Sequence, residues 1–217
     1  MNCHICNEST HTFIHEKTNI SYYYCEKCAY IFKSPKYYQN FDTQKKRYNL
    51  HTNDENDEGY KAYFKRFLDF VLPVVGSPKD ALDFGCGRST ILSNMIKNKD
   101  IKCDFYDPIY HPDTLNDDKK YDLIVSVEVF EHLHQPRTTF EYLSEKLNEE
   151  GYLAIQTAFH SNDIKTFKTW YYHQDPTHIV FFTPKTFTVL CKQYGCKLLA
   201  TNDKNMVVIQ KEKADIL

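Results

Sequence analysis

A chain of 217 residues with 27 basic and 29 acidic side chains and a sequence pI near 6.5 has room for one medium domain plus a small appendage. Its near-neutral balance offers no overall field for drawing in nucleic acid, so an RNA partner has no support from charge. No apolar run approaches the roughly 20 residues a spanning helix needs, and the N-terminus is a polar Cys/His segment, which predicts a soluble cytoplasmic protein without a membrane partner.

Cys3-x-x-Cys6 and Cys25-x-x-Cys28 stand 18 residues apart, with Thr, Tyr, Phe and Ile frequent between them. That is the spacing of two knuckles on a short antiparallel ribbon, each supplying two thiolates to one tetrahedral Zn²⁺. A piece this small lacks a core without a metal. His4, His11 and His15 are alternative ligands, but four cysteines already complete the set. The other cysteines, Cys86, Cys103, Cys191 and Cys196, are scattered and read as free thiols of a reducing compartment. Residues 36–75 follow as a polar linker from Pro35 to Gly59 and a helix predicted over Tyr60 to Leu72, where Phe64, Phe67, Leu68 and Val71 share one face.

The stretch Ala81 to Ser89, A-L-D-F-G-C-G-R-S, reads as a strand, a tight turn and the start of a helix running to Lys97. Thr90 stands where the dinucleotide pattern G-x-G-x-x-G requires glycine, and Asp83 ahead of the glycines suits a ligand with a positive charge at that point. The stretch resembles motif I of the class I S-adenosylmethionine-dependent methyltransferases, D/E-x-G-x-G. That resemblance implies a cofactor loop of Asp83, Gly85, Cys86 and Gly87. A helix ahead of the sheet commonly covers the cofactor in such enzymes, which would give Arg47, Tyr48 and His51 a part; a solvated linker is the other reading. Zinc ribbons also precede several methyltransferase domains, without a common role.

A second strand, Ile101 to Tyr106, ends at Asp107, 20 residues beyond Gly87. There a carboxylate can accept both hydroxyls of a ribose, although an Asp before Pro also simply makes turns. Too few residues separate Pro108 from Tyr121 for another helix and strand, so the sheet edge is expected to be trimmed, with Leu115 near the adenine. Tyr121 to Val127 reads as a central buried strand, followed by a helix over Arg137 to Leu147 and a strand over Tyr152 to Thr157. Pro184 to Tyr194 reads as a helix, and Cys196 to Thr201 with Met206 to Gln210 as an antiparallel hairpin. The expected fold is α/β, a mostly parallel Rossmann-like sheet over 76–217 behind a zinc ribbon over 1–35.

Glu128, Glu131 and His132 lie just past the central strand, where open α/β sheets place their ligand crevice. A long insertion after the strand over Tyr152 to Thr157 carries Trp170-Tyr171-Tyr172 and His173-Gln174-Asp175-Pro176-Thr177-His178. The aromatic cluster reads equally as a stacking surface or as core beneath the insertion. V-S-V-E-V-F-E-H-L followed by D-P-T-H-x-x-x-F-T-P-K-T-F resembles ubiquinone-biosynthesis-type O-methyltransferases and, less closely, small-RNA terminal-ribose methyltransferases. By that resemblance Glu128, Glu131, His132 and His178 would hold a second divalent metal against substrate hydroxyls; without a metal, His132 or His178 would act as general base. The expectation is methyl transfer to a hydroxyl of a small molecule. RNA is the alternative substrate, and a non-catalytic ribbon module the alternative class.

Overall fold

A computed structural model describes residues 1–49, 57–116 and 118–213. His51 and most of the acidic run ahead of the second helix lie outside these residues, as does the middle of the Asn116 to Asp118 turn. No described helix is long and apolar enough to cross a membrane.

The chain opens with three antiparallel strands, β1 (His11–His15), β2 (Ile20–Cys25) and β3 (Tyr30–Lys33). The expected linker is partly helical. Asn40 accepts a hydrogen bond from the Thr43 N–H at 2.9 Å and starts α1 (Phe41–Tyr48). Its polar composition hid it, since a helix with little apolar stripe gives no periodic signal. The next helix, α2 (Glu58–Val75), begins earlier and ends later than the hydrophobic pattern alone predicts. Asp57 caps it through the N–H groups of Gly59 and Tyr60, and Gly76, at φ 71°, closes it after Val75.

The main sheet is built from β4 (Asp80–Phe84), β5 (Lys102–Tyr106), β6 (Tyr121–Val127), β7 (Leu147–Gln156), β9 (Cys196–Thr201) and β10 (Met206–Lys211), in the order β5-β4-β6-β7-β10-β9. The first four are mutually parallel and β10 runs antiparallel to both neighbours, so the trimmed edge and the reversed strand are both present. β7 starts at Leu147 rather than Tyr152 because Leu147 already pairs with Tyr121 before a register shift. The preceding helix, α4 (Pro136–Glu145), therefore ends sooner than expected.

Helices α2 and α3 (Ile91–Lys97) cover one face of the sheet with Phe64, Phe67, Val71, Leu92 and Ile96. The other face carries α4, α6 (Pro184–Gln193) and the ribbon. Here Phe140, Leu143, Phe187 and Leu190 share one core with Ile5, Tyr30 and Phe32. Burying a side chain such as Phe32 contributes about 2–3 kcal/mol, so the ribbon has a sizeable apolar interest in the larger domain. The insertion adds a short helix, α5 (Ile164–Phe167), and a two-residue strand, β8 (Val180–Phe181). β8 pairs with β3, Ile31 opposite Phe181 and Phe32 opposite Val180, so one four-stranded sheet contains both ribbon and insertion.

Candidate functional site

The ribbon's four sulfurs converge. Cys3 Sγ lies 3.5 Å from Cys28 Sγ, Cys6 Sγ 3.5 Å from Cys25 Sγ and 3.8 Å from Cys28 Sγ. With Zn–S bonds of about 2.3 Å, tetrahedral geometry sets neighbouring sulfurs about 3.8 Å apart, so the donor set fits zinc. The Ile5 N–H points at Cys3 Sγ at 3.4 Å, as a knuckle requires. His4 and His11 lie outside the group of four, and His15 is bonded to the Lys168 carbonyl instead.

At the carboxyl end of β4, Gly85 and Gly87 hold φ of 81° and 68°. A Cβ on Gly85 would come within 2.3 Å of Val129, whereas Gly87 faces open space. The loop is tied to β5 by the Gly85 and Cys86 N–H groups, which both donate to the Tyr106 carbonyl. Asp107 also serves the loop: Oδ2 accepts from the Gly87 N–H at 3.0 Å, while Oδ1 accepts from Ile109 and Tyr110. Asp83 is buried beneath the loop, accepts from Ser93 Oγ at 3.0 Å and is raised by burial to about 7. Cys86 is half-buried in the loop, and Leu115 is half-buried at the margin of the core.

At the end of β6 the chain turns sharply. Glu128 takes φ 54°, uncommon for a residue with a side chain, and its N–H donates to the Gln156 carbonyl at 2.9 Å. Phe130, fully buried against Phe182 and Phe187, pins the short 3-10 turn Phe130–His132 that follows. Glu131 is thereby drawn completely inside.

Glu131, His132 and His178 bring ligand atoms within 4.8 Å of one another. Both imidazoles are oriented by main-chain carbonyls, His132 Nδ1 by Thr177 at 3.0 Å and His178 Nδ1 by Tyr172 at 2.7 Å. A carbonyl only accepts, so each Nδ1 carries a proton, the orientation in which a metal-ligating histidine binds through Nε2. Burial lowers His178 to about 4, so its ring is neutral near pH 7. Glu131 Oε2 and the Gln156 amide are buried and have no hydrogen-bond partner among the described residues. Buried polar atoms left without a partner call for a ligand or an ordered water.

Glu128 stands beside this trio rather than in it. Its Oε1 accepts from Tyr63 at 2.8 Å and its Oε2 from Tyr172 at 2.9 Å, while the Tyr172 hydroxyl also lies 2.6 Å from Glu131 Oε1. One hydroxyl proton cannot serve both carboxylates. Burial, reinforced by Glu131, raises Glu128 to about 8, so the pair retains a proton near neutrality.

Sequence reasoning missed Tyr63 and left the aromatic cluster open between a stacking surface and core. Trp170 packs against Phe167, Tyr172 and Phe181, Tyr171 is exposed, and Tyr172 turns its hydroxyl onto the acids. The Arg47 guanidinium bonds Asp175 Oδ2 at 3.0 Å, tying α1 to the insertion. The Tyr48 side chain lies outside the described atoms. The E-x-x-E-H spacing and the later D-P-T-H segment were the signals that pointed here.

The profile of the methyltransferase-domain family matches residues 56–201. No curated protein matches the sequence. An O-methyltransferase family protein from Burkholderia thailandensis superposes with a TM-score of 0.52 at 11% identity over 79% of this chain, which spans 64% of that protein. The N-methyltransferase NodS from Bradyrhizobium japonicum WM9, in complex with S-adenosyl-L-homocysteine, gives 0.51 at 14% identity, covering 80% of this chain and 98% of its own. The plantazolicin methyltransferase BpumL gives 0.50 at 16%, covering 79% and 91%. At these identities the likeness is one of fold. With its matched span and its trimmed, mostly parallel sheet, the chain belongs to the methyltransferase-domain family and carries the class I S-adenosylmethionine-dependent methyltransferase fold.

Proposed function

We propose that the protein transfers a methyl group from S-adenosylmethionine to a hydroxyl of a small-molecule acceptor, with a divalent metal at Glu131, His132 and His178. The observation that carries the reading is the convergence of these three side chains at the end of β6, with both imidazoles held by their Nδ1 atoms. The cofactor, when bound, supplies a methyl group on a positively charged sulfur. Gly85, Cys86 and Gly87 form the loop that admits it, Asp107 supplies negative charge there, Asp83 beneath the loop ionises more fully when a cation approaches, and Leu115 is assigned to the adenine. A divalent ion, when bound, lowers the pKa of a hydroxyl and orients its oxygen.

The remaining chemistry falls to the chain itself. Tyr63 and Tyr172 hold Glu128 in place, and with one proton already held by the Glu128–Glu131 pair, the carboxylate that stays ionised is the group able to take up the acceptor's proton. The Cys3, Cys6, Cys25 and Cys28 ribbon holds structural Zn²⁺ in this reading.

Calorimetric titration with S-adenosylhomocysteine, followed by methyl transfer to a panel of hydroxylated small molecules with and without Mg²⁺ or Mn²⁺, tests the proposal. Saturable cofactor binding and metal-dependent turnover are expected. No binding to the folded, zinc-loaded protein overturns it. Full turnover in a chelator that spares the ribbon overturns the metal.

A further inference from the structure

The sheet shared by ribbon and insertion hides one cation. Lys33, at the end of β3, is 2% exposed, and its ammonium makes no hydrogen bond or ion pair among the described residues. An ammonium at the end of a buried stem, with no ionic partner of its own, is costly unless it meets solvent or a ligand, so its presence calls for a reason. Asp175, the acid whose charge reaches it, is already engaged: Oδ2 by Arg47, and Oδ1 by the Thr177 N–H at 2.9 Å and hydroxyl at 2.6 Å. Burial lowers Lys33 to about 8, which keeps it mostly charged at neutral pH.

Its neighbours are also short of partners. Tyr22 pairs with Lys33 across β2 and β3, so the two side chains emerge on the same face. The Tyr22 hydroxyl and His173 Nε2 are both buried and unpartnered, and their rings pack edge to face at 6.0 Å. Main-chain bonds connect this cluster to the acids: the Lys33 N–H donates to Ile179 at 2.8 Å, and the Ile179 N–H donates to Glu131 at 2.9 Å. Lys33 also acts electrostatically on His178 and His173.

We propose that Lys33, with the Tyr22 hydroxyl and His173 Nε2, binds an anionic oxygen group, carboxylate or phosphate, of the methyl acceptor, so that the ribbon selects acidic hydroxylated small molecules. This rests on the methyl-transfer reading above. It gives the ribbon a part in substrate choice beyond holding zinc.

The test uses the full, zinc-loaded protein saturated with S-adenosylhomocysteine, titrated with benzoate, phenyl phosphate and, as the neutral control, benzyl alcohol. Wild type is expected to bind benzoate or phenyl phosphate saturably and more tightly than benzyl alcohol, and the better anion identifies the group. Lys33→Met should weaken that anion at least tenfold, leave S-adenosylhomocysteine affinity unchanged and keep or raise the melting temperature, since it removes a charge from a largely buried side chain. Lys33→Gln, which keeps a polar end, is the second variant should the first not fold. Equal anion affinity in wild type and variants, or no anion binding by wild type with cofactor product bound, overturns the inference. A wild type that fails to bind S-adenosylhomocysteine overturns the proposed function instead.

Discussion

Among the described residues two clusters of side chains could hold a metal ion, and they differ in almost every physical respect. The cysteine cluster is made by two C-x-x-C turns of a single short ribbon and offers four sulfurs, a closed set with no position left over. The Glu131, His132 and His178 cluster joins a turn after β6 to an insertion more than 40 residues later, and it offers three ligands, one of which, Glu131, has an unpartnered carboxylate oxygen. A closed soft set suits a structural ion. An open harder set suits an ion that must also meet a substrate.

Breaking the closed set should have the largest effect. Structural zinc contributes about 10–16 kcal/mol in isolated zinc-finger peptides. Because Ile5, Tyr30 and Phe32 share the core of the large domain, Cys25→Ser should unfold more than the ribbon. Circular dichroism melting with zinc quantitation checks this; a lost metal with an unchanged melting transition would show the ribbon to be dispensable. Breaking the open set should leave the fold standing. Glu131→Gln is expected to lower turnover by about 100-fold or more while cofactor affinity stays within about twofold, read by single-turnover kinetics and calorimetry.

Two smaller effects sharpen the contrast. Gly85→Ala places a methyl group 2.3 Å from Val129 on a backbone at φ 81°, and should cost about 2 kcal/mol of stability and weaken S-adenosylhomocysteine binding. Denaturant unfolding measures the first and calorimetry the second. The smallest effect concerns His160, whose Nε2 donates to the Ala29 carbonyl of the ribbon at 2.9 Å while Nδ1 accepts from Asn162. Burial lowers its pKa to about 4 from 6.5, so between those values the unfolded chain binds the extra proton and stability falls as pH falls. At pH 5.5 the loss is about 1 kcal/mol relative to pH 8, and His160→Gln should remove that share of the acid slope while zinc content is unchanged.

The same contrast explains what the sequence could reveal. The cysteine cluster, the D-F-G-C-G turn and the E-x-x-E-H run are local, and local chemistry has a spacing that can be read. The reversed hairpin was legible because a turn of N-D-K-N lies between two apolar runs. The pairing of β8 with β3 was not, because a two-residue strand has no period and its partner lies nearly 150 residues earlier. Nor was the tyrosine bridge between Glu128 and Glu131, since a cluster such as Trp170-Tyr171-Tyr172 does not say which ring faces inward. Lys33 carried no signal either: at the end of a strand a lysine ordinarily reaches water.

The attachment of the ribbon also sets an order of events during synthesis. The Cys28 carbonyl accepts a hydrogen bond from Thr186, 158 residues later, and the Ile5 carbonyl one from Gln193. At about 5–20 residues per second the ribosome takes roughly 8–30 s to cover that distance. Throughout that interval the first strands have their own turns and their thiols, but not the helix they will rest against. Metal capture on the nascent chain would keep those thiols paired and the strands in register until α6 emerges.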